Sequence, residues 1–211
     1  MNNRYLVFMK LSIFAMVLSL TACSGAATPS ASPETSAPVN EAVPAPPADN
    51  EKAPEMLRPQ TENFDLMTGE GNQTRSATLH QGEGFSLYVF DKFAFDAAKG
   101  RLFLSGNPEY EVLIESLSAN YDLTQLEIQG KEELEKFGEV SDFSGELVEH
   151  PLGSAELYLQ TSGSDGIHEY IVWKSEAGDA FLFRLHNPKG EEASDFAGPV
   201  LVSLSTVLRD S

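Results

Sequence analysis

The chain has 211 residues, of which 32 are acidic and 14 basic, giving a formal net charge of −18. Such an acidic chain repels polyanions, which argues against a nucleic-acid partner and against adhesion to anionic headgroups by the protein surface itself. The single cysteine, Cys23, leaves no intrachain disulfide and no cysteine-rich zinc site.

Arg4 and Lys10 precede an almost wholly apolar run, Leu11 to Leu20 (LSIFAMVLSL), and small residues follow it. That order is the one of a secretory signal peptide, here residues 1–22. The apolar run is shorter than the roughly 20 residues a membrane-spanning helix needs. Its end, Leu20-Thr21-Ala22-Cys23, resembles the lipobox of bacterial lipoproteins. The resemblance implies cleavage before Cys23, a diacylglyceryl group on its thiol, commonly a further acyl chain (palmitate-like) on the new amine, and residence on the extracytoplasmic face of the cell membrane. A lipidated Cys23 is an anchor and no catalytic thiol. Loss of residues 1–22 leaves 12 basic against 32 acidic residues.

Residues 24–60 hold eight of the twelve prolines, eight alanines and no aromatic residue. A stretch so poor in buriable surface cannot offset chain entropy, so residues 23–75 read as the lipidated cysteine and a disordered tether. Within it, residues 61–75 are transitional, with Phe64, Leu66 and Met67 available to pack on a domain. The remaining residues, 76–211, suit one domain with its own core.

Along that domain, Gly84 to Phe90 (GFSLYVF), Phe93 to Phe95, Arg101 to Ser105 and Tyr110 to Leu117 have strand composition, with Gly100 and Asn107-Pro108 as turn signals. Leu123, Leu126, Leu134 and Phe137 then fall on one helical face, with Asp122 as cap, Gly138 as stop and Gly130 as an interruption. Strands resume over Val140 to Glu149, Ala155 to Thr161, His168 to Ser175 and Ala180 to His186. The stretches Ser162 to Gly166 and Glu176 to Asp179 read as hairpin turns. Short turns demand antiparallel neighbours. Helical spacing returns at Phe196, Val200, Leu201, Leu204, Val207 and Leu208, with a start near Pro199. The expected fold is α+β, an antiparallel sheet packed by helices.

The order of GFSLYVF, a middle helix, "AELYL", "HEYIVWKSEAGDAFLFRLHNP" and a closing "FAGPVLVSLSTVL" resembles the PsbP-like superfamily, including the DcrB-type bacterial lipoproteins. The likeness runs over about residues 78 to 208 and departs where the family often has Pro and Trp after its first strand. It implies a fold and an envelope or accessory role, and carries no catalytic constellation.

Chemistry is sparse. His80, His150, His168 and His186 show no helical metal spacing and no HExxH. His168 and His186 fall on strands that can be neighbours, yet surface or satisfied histidines account for all four. Glu132, Glu133 and Glu135 form the solvated face of the middle helix, and no EF-hand loop is present. The serines of Ser162 to Gly166 lack the GxSxG spacing of a nucleophile elbow. Gly82-Glu83-Gly84 lacks the helix of a phosphate cradle. Phe85, Tyr88, Phe90, Phe93 and Phe95 serve as core rather than as a stacking platform. The expectation is therefore no catalytic residue, no cofactor and no metal. It describes a lipid-anchored accessory or binding module with a protein partner in the envelope. The competing reading is a small envelope hydrolase or metal-dependent enzyme built on His168, His186 and nearby acids.

Overall fold

The computed structural model describes residues 58–68, 71–147 and 150–210, all within one compact unit, Lys52–Ser211. The signal-peptide and Cys23 readings lie outside the described residues. Among these residues no helix is long and apolar enough to cross a membrane.

The fold is mixed α+β and mostly antiparallel, in two sheets rather than one. The smaller sheet runs in the order β1 (Thr61–Thr68), β2 (Gly71–Gln81), β3 (Phe85–Phe90) and the short β11 (Leu208–Arg209). The larger begins with β4 (Phe93–Asp96), β5 (Arg101–Leu104) and β6 (Asn107–Ser116). It continues through β10 (Ala180–Pro188), β9 (Gly166–Lys174), β8 (Leu157–Ser162) and β7 (Val140–Asp142). The chain changes sheet at Asp91-Lys92, between β3 and β4.

Two apolar clusters flank the larger sheet, and strand alternation sorts side chains between them. Along β10, Phe181, Phe183 and Leu185 join the main core with β3 and α2 (Ala193–Ser205). Ala180 and Leu182 face the other way, with Leu159, Tyr170 and Val172, under α1 (Leu123–Leu134). All six residues of β3 are buried, because the strand has core on both sides. Phe85, Tyr88, Phe90 and Phe93 are thus core residues, as their composition suggests.

The helices follow their sequence signals in part. Asp122 caps α1, its Oδ1 accepting from the backbone N–H of Thr124 (3.0 Å) and Gln125 (3.2 Å). Gly130 does not break the helix. A Cβ there would lie 2.6 Å from Cδ1 of the buried Tyr170 and 3.0 Å from Cδ1 of Leu159, so glycine is what lets α1 lie close to β8 and β9. Gly130→Ala is expected to lower stability by about 1–3 kcal/mol, the cost of overpacking exceeding the helix-propensity gain of about 1 kcal/mol. Equilibrium denaturation of both proteins measures the sign, and a stabilised variant would show that the contact is slack.

Helix α1 ends at Leu134, so Phe137 lies beyond it and Gly138 is not its stop, and the sequence reading fails in four further places. The domain starts earlier than Ser76: β1 and the first half of β2 occupy the presumed tether, paired from Thr61↔Thr78 to Thr68↔Gly71. Leu66 is buried and Phe64 packs at 5.4 Å from the Tyr88 ring and 5.9 Å from that of Phe90. Asn107-Pro108 lies within β6 rather than in a turn. The missing N–H is tolerated because β10 pairs only with residues 111–116 and the β5 register shifts at Phe103/Leu104. The strand expected over Val140 to Glu149 ends at Asp142. Lastly, α2 starts at Ala193, with Pro199 buried in its interior. Proline cannot donate to the carbonyl four residues back, and that oxygen, on Asp195, accepts instead from Nζ of Lys92. Val207 and Leu208 lie beyond the helix, Leu208 in β11.

Candidate functional site

Two places gather polar groups that folding alone does not use up. The first is a cleft of about 510 Å³ between the small sheet, the end of α2 and the segment around Pro151. Phe64, Tyr88 and Trp173 give it an aromatic lining, with Arg58, Lys174, Glu62 and Glu176 as charged members. Arg58 is fixed in place. Its Nη1 donates to the backbone O (3.1 Å) and Oγ (2.9 Å) of Ser86, and its Nη2 to the backbone O of Thr206 (2.8 Å). The guanidinium lies 4.6 Å from the Tyr88 ring centre, within cation–π range. Tyr88 donates its hydroxyl to the backbone O of Pro59 at 2.8 Å. Burial, aided by Glu62, pushes the Tyr88 phenol up from its ordinary pKa, so it stays a neutral donor. Trp173 is buried, stacks on Phe183 at 6.1 Å, and its indole N–H has no hydrogen-bond partner among the described residues. A buried donor without an acceptor costs about 1–3 kcal/mol.

The second place lies on the α1 side of the larger sheet. The register sets Thr161 opposite His168, His168 opposite His186, and His186 opposite Glu111, one row across four strands. The His168 and His186 rings stack at 4.2 Å with 10° between planes, and Phe137 stacks on the other face of His168 at 3.7 Å and 13°. Asp165, in the β8–β9 turn, accepts at Oδ2 from Nε2 of His168 at 3.1 Å, and the same oxygen is 3.9 Å from Nε2 of His186. The hydrogen bond from His168 holds the Asp165 carboxyl below its ordinary pKa. Burial, then the neighbouring His168, lowers the pKa of His186. Nε2 of His186 and Oγ1 of Thr161 have no hydrogen-bond partner among the described residues.

The expectation of surface or satisfied histidines therefore fits His80, set edge-on to Phe95, and His150, whose Nδ1 accepts from the Leu152 N–H at 3.1 Å. It fits His168 too, whose Nε2 is bonded to Asp165, but not His186, whose Nε2 has no partner among the described residues, and it does not anticipate that the register brings the two rings face to face. Asp165 escaped notice because a hairpin turn explains an aspartate equally well. Arg58 escaped because it sits among prolines. Glu132 and Glu135 face solvent as expected, whereas Glu133 accepts from Arg184 at 3.1 Å.

Together these features define a small α+β domain with an aromatic cleft and a separate histidine–carboxylate cluster. The chain belongs to the family described as Domain of unknown function (DUF8580), whose match spans residues 58–208. No curated protein matches it.

Proposed function

We propose that the protein is an envelope lipoprotein whose domain, PsbP-like in plan, is held at the extracytoplasmic membrane face by lipidated Cys23 and acts as a non-enzymatic binding module. Residues up to the start of the folded part serve as its spacer, and its partner is another envelope component. The observation that carries the binding reading is the cleft lined by Phe64, Tyr88 and Trp173. Its volume of about 510 Å³ falls in the range of small-molecule sites, which pair apolar walls with a few fixed polar groups. Arg58 and Lys174 favour a carboxylate, and Glu62 and Glu176 an ammonium group. A short peptide segment offers both on an apolar body.

Trp173 is the single tryptophan of the chain, so its emission reports on the cleft alone. Titration with a mixed set of tri- to pentapeptides is expected to change that emission saturably. Glu176→Lys, an exposed change at the cleft rim, is expected to weaken the response about tenfold, the worth of roughly 1.4 kcal/mol in a charged contact. Peptides recovered intact after overnight incubation distinguish binding from hydrolysis. Flat emission across the set, or cleaved peptides, would overturn this reading.

A further inference from the structure

We propose that Asp165, His168 and His186 form a binding site for one divalent transition-metal ion of the Zn²⁺ type, exchangeable with solvent. The proposal rests on other residues than the cleft, so either reading survives failure of the other.

The residue types fit such an ion. Imidazole nitrogen and carboxylate oxygen are ordinary Zn²⁺ ligands, and three protein ligands leave a fourth position open. The spacing also fits. The three potential ligand atoms lie within 4.8 Å of one another. Around a four-coordinate ion with bonds of about 2.0–2.1 Å, tetrahedral geometry puts ligand atoms about 3.3 Å apart. Asp165 Oδ2 is already 3.1 Å from one nitrogen and 3.9 Å from the other. Closure needs Asp165 and His186 to approach by roughly half an ångström and, through a turn of one ring, the two nitrogens to converge from a separation of at most 4.8 Å.

That turn falls to His186. Rings stacked at 10° send their in-plane lone pairs side by side, and a shared ion needs them to converge. The χ2 torsion of histidine is broad. His186 has 30% of its side chain exposed, and its Nε2 breaks no hydrogen bond by moving. His168, held between Phe137 and His186, is the fixed member.

The protons have somewhere to go as well. An ionised carboxylate only accepts, so His168 carries its proton on Nε2 in the metal-free protein. Metal binding requires that nitrogen bare, so the neutral ring changes tautomer and carries its proton on Nδ1 instead. Thr161, directly across in the register and 1% exposed, holds a hydroxyl without a partner among the described residues. That hydroxyl adds hydrogen-bonding capacity beside the cluster, the kind of outer support that ligating histidines use. A hollow of about 160 Å³, lined by Phe137, His168, Arg184 and His186 among others, lies beside the two rings.

The site does not hold the fold together, since α1 packs on Leu159, Tyr170, Val172 and Leu182 without it. Metal-free protein is therefore expected to fold. The test uses the untagged full chain in detergent, passed through chelator and titrated with Zn²⁺ by calorimetry and thermal unfolding. One ion per chain is expected, with a Tm rise of roughly 5–10 °C at about a hundredfold excess over Kd. His186→Ala and Asp165→Asn, both at solvent-accessible positions, should each weaken Zn²⁺ binding about tenfold or more while leaving the metal-free Tm nearly unchanged. His80→Ala should leave binding intact. Absence of stoichiometric Zn²⁺ binding, or an affinity equal to that of the unaltered chain in both His186→Ala and Asp165→Asn, would overturn the proposal.

Discussion

Cys23→Ser is expected to abolish incorporation of labelled fatty acid and to move the protein from the membrane pellet to the soluble fraction. The size of the effect follows from what else could hold the protein to a bilayer. The apolar run before Cys23 is about half the length of a spanning segment. Among the described residues no helix is long and apolar enough to cross. Residues 76–211 carry 24 acidic against 9 basic groups, so the surface is repelled by anionic headgroups. Each buried CH₂ of an acyl chain contributes about 0.8 kcal/mol, and two chains together give stable anchoring where one does not. Removing the thiol removes that whole contribution. Labelling that persists in the serine variant would refute the anchor.

A chain beginning at Ser76 is expected not to fold, while one beginning at Lys52 is expected to unfold cooperatively on heating. The shorter chain lacks β1 and half of β2. It loses the buried Leu66 and the Phe64 ring packed on Tyr88 and Phe90, each worth about 1.5–3 kcal/mol when fully buried. It also loses Arg58, whose guanidinium ties Ser86 of β3 to Thr206 at the end of α2. Those losses sum to a large share of the 5–15 kcal/mol typical of a domain. What is left of β2 would present an unpaired edge, a template for aggregation. Circular dichroism melts of the two chains decide the matter. Equal midpoints would mean that β1 is an ornament on the fold.

The two boundary readings fail and succeed for one reason. Phe85 to Phe90 announces itself because every side chain but that of Ser86 is apolar or β-prone, the mark of a strand buried on both faces. Thr61 to Met67 buries only Leu66 fully and Phe64 in part, so its pattern is too thin to stand out from the polar stretch before it. The α1 helix was legible through Asp122 and its leucines. The extent of α2 was not, since Pro199 marks a helix start in most sequences and here is accommodated by Lys92, over a hundred positions away in the chain. The histidine cluster shows the same limit more sharply. His168 and His186 are eighteen residues apart, and only the pairing of β9 with β10 decides that they meet. Local periodicity can place each on a strand, but register is a property of two strands and their turn.

The small sheet closes on β11, where Leu208 pairs with Ser86 and Arg209 with Phe85. β3 thus waits for a partner far later in the chain. Pairings between such distant positions carry a large loop-closure entropy and form late. On a ribosome, β3 would emerge with its apolar side chains uncovered, because α2 and β11, which pack and pair on it, are still untranslated. The smaller sheet is therefore open at this edge until β11 has been made, and its last pairing is among the late steps of folding.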